Sequence, residues 1–260
     1  MASASPSSPH VGAGAGSGAG SGAGSGAAPG AGSVALPTVR TIDGFMAVAL
    51  LLVAATVVRA IWFTPVDAML GAAQKIFYVH VPAAIAGLYI ACGLLAVASI
   101  GYLWIRDERL DRLAEASAEV GLLFMGVVLV TGPVWARTSW GTWWVWEARI
   151  TSTVFLWLLV LGYLVLRGAV ESPESRARLS AVMGSLAALL VPFVHLTVRL
   201  FRGMHPGPVV LKPDKPSLPP EMLTTFGLAS VAFILLFFAL LRVRFRWAGL
   251  RNARAEMEAV

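Results

Sequence analysis

The chain has 260 residues, of which 57% are hydrophobic and only 13% are charged, and its mean hydropathy is +0.76. A soluble domain carries about 25% charged residues, so this composition excludes an ordinary soluble protein and predicts an integral membrane protein. The net charge of +6 comes from basic residues spread among the ends of apolar segments. That distribution fits orientation in a bilayer and does not favour a nucleic-acid-binding protein.

Composition divides the chain into three regions. Residues 1–37 are almost entirely Gly, Ala, Ser and Pro, which cannot bury a core, so we expect a disordered tail. Residues 38–245 form the predicted membrane domain, and residues 246–260 form a predicted cytoplasmic C-terminal tail.

The membrane domain contains six stretches long enough to cross a bilayer, which takes about 20 apolar residues in a helix. They run over about 43–62, 76–105, 118–135, 150–166, 179–198 and 222–241. The predicted fold class is therefore all-α, a bundle of six transmembrane helices. Six spans put both termini on one side, and that side carries twelve of the twenty basic residues. The bias predicts cytoplasmic termini.

One cysteine, Cys92, lies inside an apolar stretch. A disulfide or a thiolate metal site within the chain is thereby excluded, and we expect Cys92 to be a small buried side chain.

Residues 135–149, in the predicted outer connection between spans three and four, hold five of the nine tryptophans. Trp140, Trp143, Trp144 and Glu147 recur at offsets of three and four, so on a helix they would share one face, with Trp146 to the side. Two readings are open. The rings either form a membrane-interface belt or a shelf on which a flat, mostly apolar ligand stacks.

Three histidines lie near the predicted outer ends of spans. His80 lies at the start of span two, where an ionisable group is costly and usually functional, although it could simply be hydrogen-bonded to a neighbouring helix. His205 lies in a Gly- and Pro-rich loop, where an exposed histidine without a role is the alternative. His195, inside span five, is interpreted as structural, with a third ligand or a proton partner as alternatives.

Two imidazoles beside an aromatic shelf suggest haem, which is planar, apolar and takes axial histidine ligands. Guanidinium groups match its two propionates, and the chain offers four of them nearby: Arg137, Arg149, Arg199 and Arg202. A zinc site is disfavoured because zinc requires three or four ligands. The span interiors are nearly free of charge, which weakens the alternative of a cofactor-free transporter or channel subunit.

Residues 140–152, WGTWWVWEARITS, resemble the signature of the tryptophan-rich (WWD) haem-handling proteins of cytochrome c maturation. Residues 75–84, KIFYVHVPAA, resemble one branch of them, haem exporter protein C (CcmC). The resemblance covers about residues 40–245. It implies a six-span protein of the bacterial inner membrane that is not an enzyme in its own right and that holds haem b on the periplasmic face.

The resemblance also implies partners and site residues. The partners are an ABC transporter with CcmA- and CcmB-type subunits, a small single-span CcmD-type protein, and a membrane-anchored CcmE-type haem chaperone that receives the haem. The family's two iron ligands correspond to His80 and His205. Its aromatic motif corresponds to the following residues: Trp140, Trp143, Trp144, Trp146 and Glu147.

The sequence departs from this family at two places. Glu147 stands where the family usually has Asp, and the stretch before His205 lacks the usual tryptophans, so His195 stays a possible substitute ligand. A haem lyase subunit of the same superfamily is the alternative function. Such proteins are typically larger and have more spans.

Overall fold

The computed structural model describes residues 39–201, 203–207, 210, 212 and 214–258. The predicted disordered tail, residues 1–37, and Arg202 lie outside the described residues. Within the described part, the regular structure is helical and an isolated bridge between Asp67 and Gly71 is the only β-type pairing. The all-α fold class is therefore confirmed.

In the described part of the chain, eight α-helices build the bundle, and it also contains two π-helical turns and one 3-10 turn. They are α1 Gly44–Val58, α2 Phe77–Ala84, α3 Cys92–Ile105, α4 Glu108–Trp140, α5 Ala148–Ala169, α6 Pro173–Ser185, α7 Ala187–Leu200 and α8 Pro220–Glu258. The π-helical turns are Arg59–Phe63 and Ile85–Ala91, and the 3-10 turn is Ala72–Ile76.

These helices give six segments that are long and apolar enough to span a membrane: Gly44–Phe63, Ala72–Ile105, Glu108–Trp140, Ala148–Ala169, Pro173–Leu200 and Pro220–Glu258. All six predicted spans are found. Five are longer than expected, three of them markedly: the third begins ten residues earlier, the fifth begins at Pro173, and the sixth continues through residues 246–258 of the predicted C-terminal tail. An apolar run of sequence marks only the part of a helix that lies in the bilayer. Backbone hydrogen bonds extend the helix past that part.

Local chemistry explains where several helices begin and end. The Asp43 carboxylate accepts a hydrogen bond from the Met46 N–H at the start of α1, and Asp107 accepts one from the Arg109 N–H at the start of α4. Such caps satisfy N–H groups that have no partner within the helix. Gly141 ends α4 in the left-handed region, with φ of 75°, a conformation that glycine adopts without strain.

The two largest apolar clusters hold spans two to six together. One joins α3, α4, α5 and α7 around fully buried side chains that include Leu95, Met125 and Val160. The other joins span two, α4 and α8 around Phe124 and Phe237. Large apolar side chains remain exposed around the outside of the bundle, which is expected where lipid replaces water as the solvent.

Glycines let span two and α4 approach closely. A Cβ atom at Gly87 would lie 2.9 Å from the backbone nitrogen of Met125, and one at Gly121 would lie 2.8 Å from the Cβ of Ala91. Small residues at such contacts are typical of helix packing in membranes. The approach fixes the position of span two, which carries His80, relative to α4.

A buried ionic cluster joins α4, α5 and α8 at one end of the bundle. Arg167 on α5 donates to Asp111 at 2.6 and 2.9 Å and to Glu115 at 3.0 Å, while Arg251 on α8 donates twice to Glu115 at 2.7 Å. Each charge has a partner, as burial requires. His80, His205 and the tryptophans of residues 135–146 lie at the opposite end of the bundle.

Candidate functional site

His80 lies on helix α2, and its ring is hydrogen-bonded to a hydroxyl group on helix α4. Its Nδ1 lies 2.9 Å from Thr131 Oγ1, and that same hydroxyl lies 2.7 Å from the carbonyl oxygen of Val127. A hydroxyl has one proton to donate, and the Val127 carbonyl can only accept. The Thr131 hydroxyl therefore accepts from His80 Nδ1–H, which leaves the Nε2 of His80 with a free lone pair.

His205 lies in the histidine loop, residues 203–207, between α7 and α8. Its Nδ1 is 3.1 Å from the carbonyl oxygen of Pro206, so Nδ1 carries the proton here too and Nε2 is again free. Burial, and after it the positive charge of Arg149, lowers the pKa of the His205 imidazole to about 4. The ring is therefore neutral at pH 7, as a metal-binding imidazole has to be.

The two histidines come together at the same end of the bundle. His205 and Arg149 both lie within range of a direct electrostatic interaction with His80. The rings also share an aromatic surround: Trp135 lies edge-to-face with His80 at a centroid distance of 5.6 Å, and Trp140 lies edge-to-face with His205 at 6.5 Å. We call this region the site end.

The expectation that the tryptophans share one face of a helix is wrong. Helix α4 includes Trp140 as its last residue, and residues 141–147 form an irregular connection, here called the tryptophan loop, before α5 begins at Ala148. In that loop Trp143 and Trp146 are exposed, with 59% and 71% of their surface accessible. The loop still gathers its rings, since Trp144 lies edge-to-face with Trp146 at 5.3 Å.

The acidic residue of the motif contacts the histidine loop. Glu147 Oε2 accepts hydrogen bonds from the backbone N–H of Met204 at 2.7 Å and from that of His205 at 3.3 Å. A small pocket lies between these segments, lined by Glu147, Arg149, Phe201, Gly203 and His205 among others. The tryptophan loop and the histidine loop therefore form one unit.

The predicted arginines take different positions. Arg149 is half-buried beside both histidines, whereas Arg137 is exposed and donates to the carbonyl oxygen of Gly141, at the end of its own helix. Arg199 is exposed at the last turn of α7. Of the candidates within the described residues, Arg149 lies deepest in the site end.

His195 contacts Tyr89 rather than the other two histidines. Its Nδ1 lies 3.1 Å from the hydroxyl of Tyr89, and the two rings are edge-to-face at 5.9 Å. Among the described residues, no group of three or more His, Cys, Asp or Glu side chains is arranged to hold a metal ion.

The chain is similar in sequence to the proteins of one known family. A family described as "Heme exporter protein C" matches residues 31–259. Relatives of that name include one from Haemophilus influenzae, 32% identical over 209 residues, which are 80% of this chain and 84% of the relative. The chain belongs to the Heme exporter protein C family. A further relative of that name, from Paracoccus denitrificans, is 37% identical over 199 residues (74% of this chain, 81% of the relative). Another, from Escherichia coli K12, is 32% identical over 185 residues (71% and 74%).

Membership of the Heme exporter protein C family confirms the resemblance read from residues 75–84 and 140–152. Sequence reasoning missed two residues of the site end, Thr131 and Gly203. Thr131 interrupts an apolar run, Val127 to Val130, directly before Gly132 and Pro133. A single hydroxyl group at that position could have indicated a hydrogen-bonding role. Nothing in the local sequence indicates that Gly203 faces Glu147.

Proposed function

We propose that this chain binds haem b at the site end and passes it to a membrane-anchored haem chaperone during cytochrome c maturation, and that it is not an enzyme in its own right. The observation that carries the proposal is the pair of neighbouring imidazoles, His80 and His205, each with Nδ1 hydrogen-bonded and Nε2 free. Two histidine ligands of this kind are what haem iron takes along its axis.

The surroundings of the pair also fit the porphyrin and its propionates. Exposed indole rings at Trp143 and Trp146 offer apolar faces for stacking, with Trp140 and Trp144 beside them. The indole N–H groups of Trp135 and Trp144 are buried without a hydrogen-bond partner among the described residues, and buried donors of this kind call for an acceptor. In this proposal Arg149, with Arg137 at the rim, pairs with the propionate carboxylates.

Transfer of haem requires that the iron–histidine bonds can be exchanged. His80 is fixed between two packed helices, whereas His205 lies in a loop, which opens at lower cost. We therefore assign His80 as the retained ligand and His205 as the ligand that leaves. The relatives' name and the partner set implied by the resemblance support a complex in the bacterial inner membrane. That complex contains CcmA- and CcmB-type transporter subunits and a CcmD-type protein, with the site end facing the periplasm and a CcmE-type chaperone as acceptor.

The test is the absorption spectrum of the protein purified in mild detergent, oxidised and reduced, with haem content measured beside it. We expect His80→Ala and His205→Ala each to weaken the haem spectrum and the double variant to abolish it. His195→Ala is the matched control and keeps the spectrum, because its imidazole contacts Tyr89 instead. An unaltered Soret band and haem content in the double variant would overturn the assignment.

The acceptor is tested with the haem-loaded protein and a purified CcmE-type chaperone, from which we expect haem to appear on the chaperone. A haem-stained covalent product formed by this chain alone with apocytochrome c would instead indicate a haem lyase subunit.

A further inference from the structure

Glu147 reaches away from its own helix to the histidine loop. It occupies the N-cap position of α5 with extended backbone, yet its side chain makes no capping hydrogen bond there. The side chain of an N-cap residue, most often Ser, Thr, Asp or Asn, ordinarily accepts hydrogen bonds from the N–H groups of its own helix. Here the carboxylate serves the N–H groups of Met204 and His205, at 2.7 and 3.3 Å.

Gly203 makes this contact sterically possible. A Cβ atom at residue 203 would overlap the carboxylate of Glu147, so a side chain there would displace the carboxylate from the loop. The glycine brings the loop backbone against Glu147 Oε2, directly before the two N–H groups that bind it. The carboxylate thus fixes the peptide units on both sides of Met204, and with them the start of His205.

The imidazole of His205 depends on that backbone. Its ring is hydrogen-bonded to the carbonyl oxygen of the next residue, Pro206, at 3.1 Å, so the ring follows the loop. His80 differs, because Thr131 on a neighbouring helix holds its ring. One candidate iron ligand is therefore fixed by helix packing, and the other by two hydrogen bonds to a single carboxylate.

We propose that Glu147 is a positioning residue that acts through the histidine loop: it holds His205 where its Nε2 can reach haem iron, and loss of its two hydrogen bonds frees His205 while His80 keeps the haem. This inference rests on the proposed function for its haem half. The contact between Glu147 and the loop itself requires no haem and is tested separately.

The first experiment measures hydrogen–deuterium exchange in the haem-free, full-length protein. We expect the peptide containing Met204 and His205 to exchange slowly in the wild type and in Glu147→Gln, whose amide oxygen still accepts hydrogen bonds. The same peptide exchanges faster in Glu147→Ala. Glu221→Ala is the matched control, because Glu221 is an exposed acid in the first turn of α8 at the same end of the bundle, and it leaves exchange unchanged. Equal exchange in Glu147→Ala and the wild type would overturn the inference.

The second experiment compares haem spectra. We expect Glu147→Ala to lose the six-coordinate, two-histidine spectrum and to match His205→Ala, with haem affinity about 10–100-fold weaker, as is typical when a group supporting a metal ligand is removed. Because both changes act on one ligand, the double variant Glu147→Ala, His205→Ala binds haem no more weakly than His205→Ala.

A two-histidine spectrum retained in Glu147→Ala overturns the inference while leaving the proposed function intact. If the wild type takes up no haem, the proposed function fails, and the exchange experiment alone decides whether Glu147 holds the loop.

Discussion

At the scale of single residues, each candidate iron ligand at the site end donates a hydrogen bond from Nδ1, the ring nitrogen that would not bind iron. In both His80 and His205 the Nδ1–H group has an oxygen acceptor, and in both the free atom is Nε2. Supporting partners of this kind fix the tautomer and orientation of a ligating histidine. The protein therefore presents its imidazoles in one protonation pattern before any ligand arrives.

Thr131→Val tests this arrangement at His80. Valine has nearly the shape of threonine but lacks the hydroxyl, so His80 Nδ1–H loses its acceptor and the ring can turn or change tautomer. We expect haem affinity, measured by titration of the Soret band, to fall about 10–100-fold. Thr131→Ser restores the acceptor and most of the affinity.

Thr138→Val is the control for that prediction. Thr138 lies on the same helix, is exposed, and hydrogen-bonds only to carbonyl groups of its own helix at Val134 and Trp135. We expect it to bind haem like the wild type. Equal affinity in Thr131→Val and Thr138→Val would contradict the role given to the Thr131 hydroxyl.

At the scale of helices, the site depends on the contact between span two and α4. His80 lies on the first and its partner Thr131 on the second, and Gly87 lies seven residues further along span two, where the backbones touch. The separation of the two helices at Gly87 therefore sets the distance between the His80 ring and its acceptor.

Gly87→Ala should separate these helices. The new methyl group would come within 2.9 Å of the Met125 backbone nitrogen and 3.0 Å of the Cβ of Phe124, and backbone cannot move aside as a side chain can. We expect the free energy of unfolding in detergent to fall by about 1–3 kcal/mol, the usual cost of overpacking, and haem affinity to fall with it. Thermal unfolding followed by circular dichroism measures the first effect.

Gly93→Ala is the matched control, six residues further along the same span. A Cβ atom at Gly93 has nothing within 4 Å, and alanine favours a helix over glycine by up to about 1 kcal/mol. We expect an unchanged or higher melting temperature. The same loss of stability at both positions would refute the close-contact explanation.

The sequence predicted the elements better than their ends and contacts. Apolar length alone indicated all six spans, because every bilayer crossing needs the same run of apolar residues. It did not show that α4 stops at Gly141, so Trp143 and Trp144 were wrongly aligned with Trp140 on a helical face. It could not show the pairing of Glu147 with the loop 57 residues away, because such a contact exists only once the bundle has assembled.

At the scale of the whole molecule, the polar features separate to opposite ends of the bundle. His80, His205 and the tryptophans of residues 135–146 gather at the site end, and the ionic cluster around Arg167 and Glu115 gathers at the other. Together with the excess of basic residues on the side of the termini, this supports the proposed orientation, with the site end periplasmic and the ionic cluster cytoplasmic.

Thiol labelling in spheroplasts tests that orientation. The native Cys92 is 1% exposed, so it gives little background with a membrane-impermeant maleimide. We expect Lys215→Cys, in the exposed connection before α8, to react in intact spheroplasts. Ser175→Cys, exposed at the start of α6, should react only after the membrane is permeabilised. The reverse pattern would invert the topology and move the site end to the cytoplasm.

The length of α8 has a practical consequence. The apolar part of this helix ends near Leu241, and residues 242–258 continue it for roughly 25 Å at 1.5 Å per residue, braced against α4 by the Glu119–Arg244 and Glu115–Arg251 ion pairs. A fluorescent protein fused after Val260 would therefore be attached to a rigid helical extension outside the lipid headgroups. Energy transfer from it to a dye-labelled lipid would report how far that extension stands from the bilayer.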